Sequence, residues 1–566
     1  MKHSKLHNFL GSKLMAQILV WVAPLLLIVP NIALDITEIS YDLPARAINV
    51  LLPAGVYLML MSLWRRPGRM VVFLLPEMVL AAFQIVLLFL YGESIIAVDM
   101  FLNVVTTNVH EAGELLANLE TAIVMVVVLY LPLLVFGILS WVKGGELSRR
   151  SRRKSLIAGA VSTLAGAIVL AVACVVDSYS PGRQLFPVNV VSNMIEAGHR
   201  TAMTKDYFLA SEDFRFNTVC TDTTMTPTLV VLVIGETSRA DNWQLGGYSR
   251  DTNPHLSHRA DLTFFPRTLS ESNTTHKSVP LMMSHLDASH FRDIYRSKGV
   301  IDAFGEAGYT TAWLSNQQRN GALIDFFGEQ ADTIHFLNDD GAHHFDMDLI
   351  EPLCRFIADN REGRTFAVLH TYGSHFNYRD RAPEDYRHFS PEDYVAASPS
   401  SRDRLLNAYD NTILYTDAVV DSVISTVEAA GIPAAVVYLA DHGEDIFDDS
   451  RERFLHASPT PTYYQIHVPM LVWLSEGYKE QHPQAAAALE HNADRNVSSS
   501  RSTFHTLLDL GALSCEYFDP QASLISADYA EPERVYLNDY NEAVPLAASG
   551  LRDADLKLLL QKSISR

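Results

Sequence analysis

Five apolar runs, near residues 14–34, 46–64, 70–91, 121–142 and 155–176, dominate the N-terminal part of this chain. Each is long enough to cross about 30 Å of hydrocarbon as a helix of roughly 20 residues. The first run is too long for a signal-peptide core and has no small-residue cleavage site, so it is expected to stay in the protein. The connecting segments set the orientation. Lys2, Lys5 and Lys13 precede the first run, WRRPGR separates the second from the third, and KGGELSRRSRRK separates the fourth from the fifth. Segments 35–45 and 92–118 hold no Lys or Arg, and Arg46 at the edge of the second run is the one exception to the alternation. Positive loops stay cytoplasmic, so five crossings put the N-terminus inside and everything after about residue 178 outside.

Charge separates the same two parts. Residues 1–180 carry 13 basic and 11 acidic side chains, a net of +2, within a whole chain of −21; the remainder is therefore at −23. An excess of acid this large argues against a nucleic-acid partner, because nothing would neutralise phosphates. Cys174, Cys220, Cys354 and Cys515 are too few and too scattered for a disulfide framework or a paired-cysteine metal site.

Two features of the membrane part have more than one reading. In segment 92–118, Asn103, Thr107 and Glu111 fall at i, i+4, i+8 and share one face of a helix near the outer membrane surface. That face either meets solvent or touches lipid headgroups. Glu77, after Pro76 in the third run, either faces the bundle interior or snorkels to water from a helix start.

From residue 228 the pattern changes to short apolar runs separated by helical stretches. TLVVLVIGE (228–236), TTAWLSN (310–316), TFAVLHTYGSH (365–375), AAVVYLADHGED (434–445) and VPMLVWL (468–474) read as strands buried on both faces. A long helix over 404–431 ends at Gly431 and Pro433. The alternation predicts a mostly parallel sheet sandwiched by helices. The expected organisation is a five-helix transmembrane domain over 1–178, bridging helices and a linker over 179–227, and an α/β domain over 228–566. In such a sheet chemistry gathers beyond the carboxyl ends of the strands. Glu236, His375, Asp441 and His442 stand there. Two carboxylates and an imidazole suit zinc or manganese, with a fourth position left for a reacting oxygen.

The motifs GETSRADNWQLGGYSRDTNP (235–254), TTHKSVPLMMS (274–284), HTYGSH (370–375), NAYDNTILYTD (407–417) and DHGED (441–445), with a following His456, resemble those of the lipopolysaccharide phosphoethanolamine transferases. These are membrane-anchored members of the alkaline phosphatase superfamily, and the five-helix anchor agrees. The resemblance implies an alkaline-phosphatase-like fold for the second part. It implies that Glu236, Asp441 and His442 bind a catalytic zinc, with Thr275 as fourth ligand and nucleophile; a second zinc has precedent and manganese fits less well. A metal favours deprotonation of the otherwise unreactive hydroxyl. His375 and His456 match a histidine pair that contacts substrate phosphate or a second metal, with the implied job of stabilising charge on the transferring group or protonating the leaving oxygen. Asn316 and Gln317 fall near positions that touch the phosphoethanolamine group, and Asn103, Thr107 and Glu111 fit a face that receives the lipid headgroup. Asp410 and Asp417 repeat a family signature but read as structural, on one long helix beneath the site.

The implied reaction takes phosphoethanolamine from phosphatidylethanolamine, through a phosphothreonine-type intermediate, to lipid A, core sugars or another envelope glycan. Its implied setting is a bacterial inner membrane with the catalytic domain in the periplasm. One departure is plain: relatives acting on lipid A commonly bracket the nucleophile with a disulfide, whereas Glu271-Ser272-Asn273 and Leu281 stand here. A glycerolphosphate transferase of the lipoteichoic-acid-synthase type shares the architecture, but the GETSR and SVP neighbourhoods fit the phosphoethanolamine group better. No C/S-x-P-x-R segment is present for a sulfatase nucleophile. A non-catalytic sensor would have lost one of Glu236, Thr275, Asp441 or His442, and a transporter would place more polar pairs in its spans.

Overall fold

The computed structural model describes residues 9–37, 41–91, 98–106, 120–176, 178–224, 226–394 and 397–565. They divide into two compact units, one formed mainly by the chain up to residue 199 and one mainly by the chain from residue 200 onward.

In the first unit four helices are long and apolar enough to cross a membrane: Lys13–Thr37, Leu43–Leu63, Ala122–Val142 and Arg149–Val175. The third apolar run forms a pair, Pro67–Phe73 and Leu75–Leu88, bent by 56°. Pro76 explains the break, since it cannot donate to the preceding turn and its ring crowds that turn's carbonyl. The second and fifth spans approach closely through small residues. A Cβ on Gly55 would lie 2.5 Å from the backbone nitrogen of Thr163, and one on Gly159 would lie 2.9 Å from the carbonyl of Gly55. Ser62 donates to Ser155 across the same seam at 2.7 Å, and Arg152 closes the end of the Leu43–Leu63 helix by donating to the carbonyls of Ser62 and Leu63. Glu77 takes the interior reading: the Tyr57 hydroxyl donates to its Oε1 at 2.5 Å.

The stretch 179–227 is more helical than its composition suggests. It holds Pro181–Gln184, the 18-residue helix Val188–Lys205, and Tyr207–Ala210, before a strand Val219–Cys220 pairs with Leu513–Ser514. Val191, Met194 and Ile195 stay exposed on the long helix, so no core pattern marked it out.

The second unit is built on seven strands: β1 (Leu229–Gly235), β2 (Leu262–Phe264), β3 (Thr310–Ser315), β4 (Thr333–Phe336), β5 (Thr365–His370), β6 (Ala434–Ala440) and β7 (Met470–Leu474). Their order is β2-β7-β6-β1-β5-β3-β4. The block β6-β1-β5-β3-β4 is parallel, and β7 runs antiparallel to both β6 and β2. β2 and β4 have no sequence signature because they are short, and three of the four residues of β4 are exposed. Alternation along β1 feeds two cores. Val230, Leu232 and Ile234 meet Val279 and Met282 of the helix Thr275–Met282 and Phe504 and Leu507 of Ser499–Leu510, whereas Leu229, Val231 and Val233 meet Tyr409, Ile413 and Val423 of Arg402–Ala429. Each such buried side chain contributes about 1.5–3 kcal/mol, which is why this sheet tolerates the polar cluster at its end.

Asp410 and Asp417 on the Arg402–Ala429 helix hold the 242–256 loop. Asp410 accepts from Asn242, Tyr248 and Arg250, and Asp417 accepts the backbone N–H groups of His255 and Leu256. Asp410→Ala removes the carboxylate that the partly buried Arg250 guanidinium pairs with and leaves the Asn242 and Tyr248 donors without it. The variant is expected to lose about 3 kcal/mol, read as earlier thermal unfolding of the solubilised chain.

Candidate active site

Parallel register lines up the strand ends. Gly235 of β1 lies opposite Ala440 of β6, and Ile234 lies opposite His370 of β5. The next residues therefore emerge together: Glu236 after β1, the 371–375 loop after β5, and Asp441-His442 after β6. Gly373 lets that loop close on Glu236. Its φ is +55°, and a Cβ there would sit 2.6 Å from the Glu236 carbonyl oxygen. Gly373→Ala is expected to cost more than about 1 kcal/mol and to displace Glu236, seen as lower binding of added divalent metal in the folded fraction.

Glu236, Asp441 and His442 are buried, and their ligand atoms all lie within 4.8 Å of one another. Thr275 opens the helix Thr275–Met282 and brings its hydroxyl 3.2 Å from Glu236 Oε1 and 3.1 Å from His442 Nε2. His442 Nδ1 donates to the Gly443 carbonyl at 2.8 Å, so its Nε2 faces the cluster with a lone pair. The backbone N–H groups of Thr237 and His442 both donate to Asp441 Oδ1, while Oδ2 is buried without a hydrogen-bond partner. Neither carboxylate is paired with a Lys or Arg among the described residues. Burial, together with the Asp441 charge, raises Glu236, and burial pushes Asp441 up to about 7 and His442 down to about 4. Two strained carboxylates, an orphaned oxygen and an unprotonated imidazole form a donor set that fits a divalent cation such as zinc.

His456 stands against this cluster, its ring centroid 4.1 Å from that of His442 and 6.3 Å from that of His375. The segment 444–455, read as a loop, carries a small hairpin of Asp445–Ile446 and Phe454–Leu455. Leu455 and Ala457 are both left-handed, at φ 68° and 61°, and bend the chain around His456. His456 Nδ1 donates to Glu444 Oε2 at 3.0 Å, and Tyr378 donates to the other oxygen of that buried carboxylate. His375 Nδ1 donates to the Phe376 carbonyl at 2.7 Å. Gln317 reaches the cluster, donating to Glu236 Oε2 at 3.2 Å and to the Thr371 carbonyl at 2.9 Å. Asn316 does not: it is buried, and its amide donates to Asp346 at 2.8 Å, because the side chain after it in the turn takes the opposite direction. Asn103 lies in the helix Val98–Thr106, but its side chain, Thr107 and Glu111 lie outside the described residues.

Thr237 and Glu444 escaped the sequence reading. Thr237 is left-handed at φ 55°; its N–H donates to Asp441 at 3.0 Å and its hydroxyl to Glu236 at 2.7 Å, so it ties the two carboxylates together. No spacing announces such a role, although its place inside GETSR hinted at one. Where a disulfide would bracket Thr275, hydrogen bonds stand instead. Glu271 accepts from Ser498 and the Ala288 N–H, and Asn273 donates to the Ser458 carbonyl and Gln465. The cysteines at 174, 220, 354 and 515 are all free.

The family model for sulfatases matches residues 228–512. The phosphoethanolamine transferase EptA of Salmonella typhimurium is 33% identical over 302 residues, covering 51% of this chain and 54% of that protein. The chain thus spans about half the length of the curated relatives it matches. The C-terminal periplasmic domain of EptC from Escherichia coli, solved in complex with zinc, is 27% identical with a TM-score of 0.54, over 60% of this chain and 97% of that one. The integral membrane protein EptA of Neisseria meningitidis shares the fold at 24% identity, with a TM-score of 0.70 over 92% of this chain and 99% of that one. The chain belongs to the sulfatase family, and the curated proteins it resembles are phosphoethanolamine transferases.

Proposed function

We propose that this protein transfers phosphoethanolamine from phosphatidylethanolamine to a lipopolysaccharide-type acceptor, at the outer face of a bacterial inner membrane. The observation that carries this reading is the Thr275 hydroxyl, held within 3.2 Å of Glu236 and His442 beside the unpartnered Asp441 oxygen. The names of the relatives supply the transferred group. Glu236, Asp441 and His442 would hold zinc, with the Thr275 oxygen completing the set. Zinc, when bound, supplies the positive charge that favours an ionised hydroxyl and stabilises charge on phosphoryl oxygens.

The chain's own groups account for the remainder. Thr275 gives up its hydroxyl proton to solvent, its Oγ1 forms a bond to phosphorus, the bond to the diacylglycerol oxygen breaks, and that oxygen takes a proton from His375 as it leaves. His375, whose Nδ1 donates to the Phe376 carbonyl, would give that proton from Nε2. His456, which burial pushes down to about 3, offers an unprotonated Nε2 that accepts a hydrogen bond from the incoming group. An acceptor hydroxyl or phosphate oxygen then displaces Thr275 in the same manner. Gln317 steadies Glu236, and Asn316 holds the loop behind it. The positive end of the Thr275–Met282 helix favours the phosphoryl charge. The membrane unit keeps the catalytic unit where both lipids are concentrated.

Mass spectrometry of envelope glycolipids from cells with and without the gene tests the reading. Phosphoethanolamine is expected on one glycolipid fraction only when the gene is present; unchanged content in every fraction removes the proposal. A sulfate-ester reading has no support in the site, whose nucleophile position is Thr275.

A further inference from the structure

His276, the residue after Thr275, lines a cavity of about 370 Å³ whose lining residues all belong to the second unit. Its walls have two characters. Leu102, Leu323 and Phe326 are apolar, while Arg200 and Lys205 carry positive charge. Arg200 is buried and donates to the Asp539 carbonyl at 2.9 Å, which fixes it in the wall. Lys205 is exposed and makes no hydrogen bond or ion pair among the described residues. The apolar side does not end at the cavity. Phe326 packs on Phe208 with ring centroids 4.8 Å apart, and Phe208 and Leu209 are 53% and 77% exposed.

We propose that this cavity is the acceptor subsite, taking a glycolipid headgroup that carries its own phosphate, with its first acyl carbons along Phe326 and Phe208. The inference rests on the transferase reading above and adds to it where the second substrate binds and by which charge. The donor does not fit this description. Its single phosphate must sit at Thr275 for transfer, and its ammonium leaves it without net charge, so Arg200 and Lys205 have nothing to meet. A phosphorylated acceptor brings a further anion, and a charged hydrogen bond to Lys205 on a surface of low polarity gives it both affinity and orientation. The apolar track selects an amphiphile over a free sugar phosphate.

The test uses the full chain in detergent, with purified lipid A bearing both phosphates, the same lipid dephosphorylated, and phosphatidylethanolamine as probes. Lys205→Glu is expected to weaken binding of the phosphorylated lipid about tenfold, the scale of one charged contact. It should raise the apparent KM for that acceptor by a similar factor and leave the KM for phosphatidylethanolamine where it was. Ala322→Trp, which fills the cavity from its rim, should act on the acceptor in the same direction. Equal affinity for the phosphorylated and dephosphorylated lipids overturns the proposal. So does a rise in the donor KM matching that of the acceptor, which assigns the cavity to the donor. A wild-type chain that binds the phosphorylated lipid through Lys205 but transfers nothing to it leaves this site standing and removes the transferase reading.

Discussion

Thr275→Ala is expected to abolish phosphoethanolamine transfer, a loss of at least about a thousandfold, in a protein that stays folded and keeps its metal. Three facts separate the chemical effect from a structural one. Thr275 is half-buried at the first turn of its helix, where alanine is a better helix former than threonine. The residue preceding that helix is Thr274, whose backbone carbonyl already accepts from Lys277 and Ser278, so the helix start survives. Removing one hydroxyl leaves Glu236, Asp441 and His442 to hold the ion, as three protein ligands do in many catalytic sites. Thr275→Ser restores the nucleophilic oxygen but not the methyl group that fixes its rotamer, and should recover part of the rate. The measurements are acceptor modification by mass spectrometry, release of diacylglycerol, and metal content of the purified variants. Transfer by Thr275→Ala at the wild-type rate would falsify the assignment of the nucleophile, whatever its metal content.

What the sequence disclosed and what it withheld follow from how each feature is encoded. The spans were legible because hydrocarbon demands long apolar runs, and the strands β1, β3, β5 and β6 because burial on both faces leaves continuous Val, Leu and Ala. Glu236 and Asp441-His442 were legible by topology, since polar residues ending such strands stand at the sheet's carboxyl edge. Thr275 was not. It comes from a helix on one face of the sheet, nearly forty residues after Glu236 and more than one hundred and sixty before His442, and only the resemblance pointed to it. The direction of Asn316 against Gln317 was also hidden. Adjacent side chains in a turn point apart, and which one faced Glu236 depended on Asp346, thirty residues on. The hydrogen bonds of Glu271 and Asn273 were invisible for the same reason: their partners at Ser498, Ser458 and Gln465 are far away in the chain. Local chemistry was readable, and non-local polar pairing was not.

The sharpest test of the metal centre is a reversal of sign. In the zinc-loaded protein Asp441→Asn is expected to destabilise, because it removes one anionic ligand and with it much of the metal's contribution; zinc at a hundred times its Kd stabilises the wild type by about 2.7 kcal/mol. In chelated protein the same change should stabilise by about 1 kcal/mol. The reason lies in the orphaned oxygen. Asp441 Oδ2 is buried, lacks a donor, and sits 3.2 Å from His442 Nε2 and near the Glu236 carboxylate. Without a cation, two buried carboxylates and an imidazole lone pair face one another. An asparagine keeps Oδ1 as acceptor for the Thr237 and His442 N–H groups and turns Nδ2 towards the lone pair at His442, replacing a repulsion with a hydrogen bond. Glu236→Ala and His442→Ala remove a ligand without supplying a donor, so both should lower zinc affinity by at least about a hundredfold and gain little in chelator. Thermal unfolding of the four proteins with zinc and with chelator, alongside their metal content, reads all of this at once. If Asp441→Asn shifts the midpoint in the same direction in both conditions, or if the Glu236 and His442 variants retain full metal, these three residues do not form the binding site.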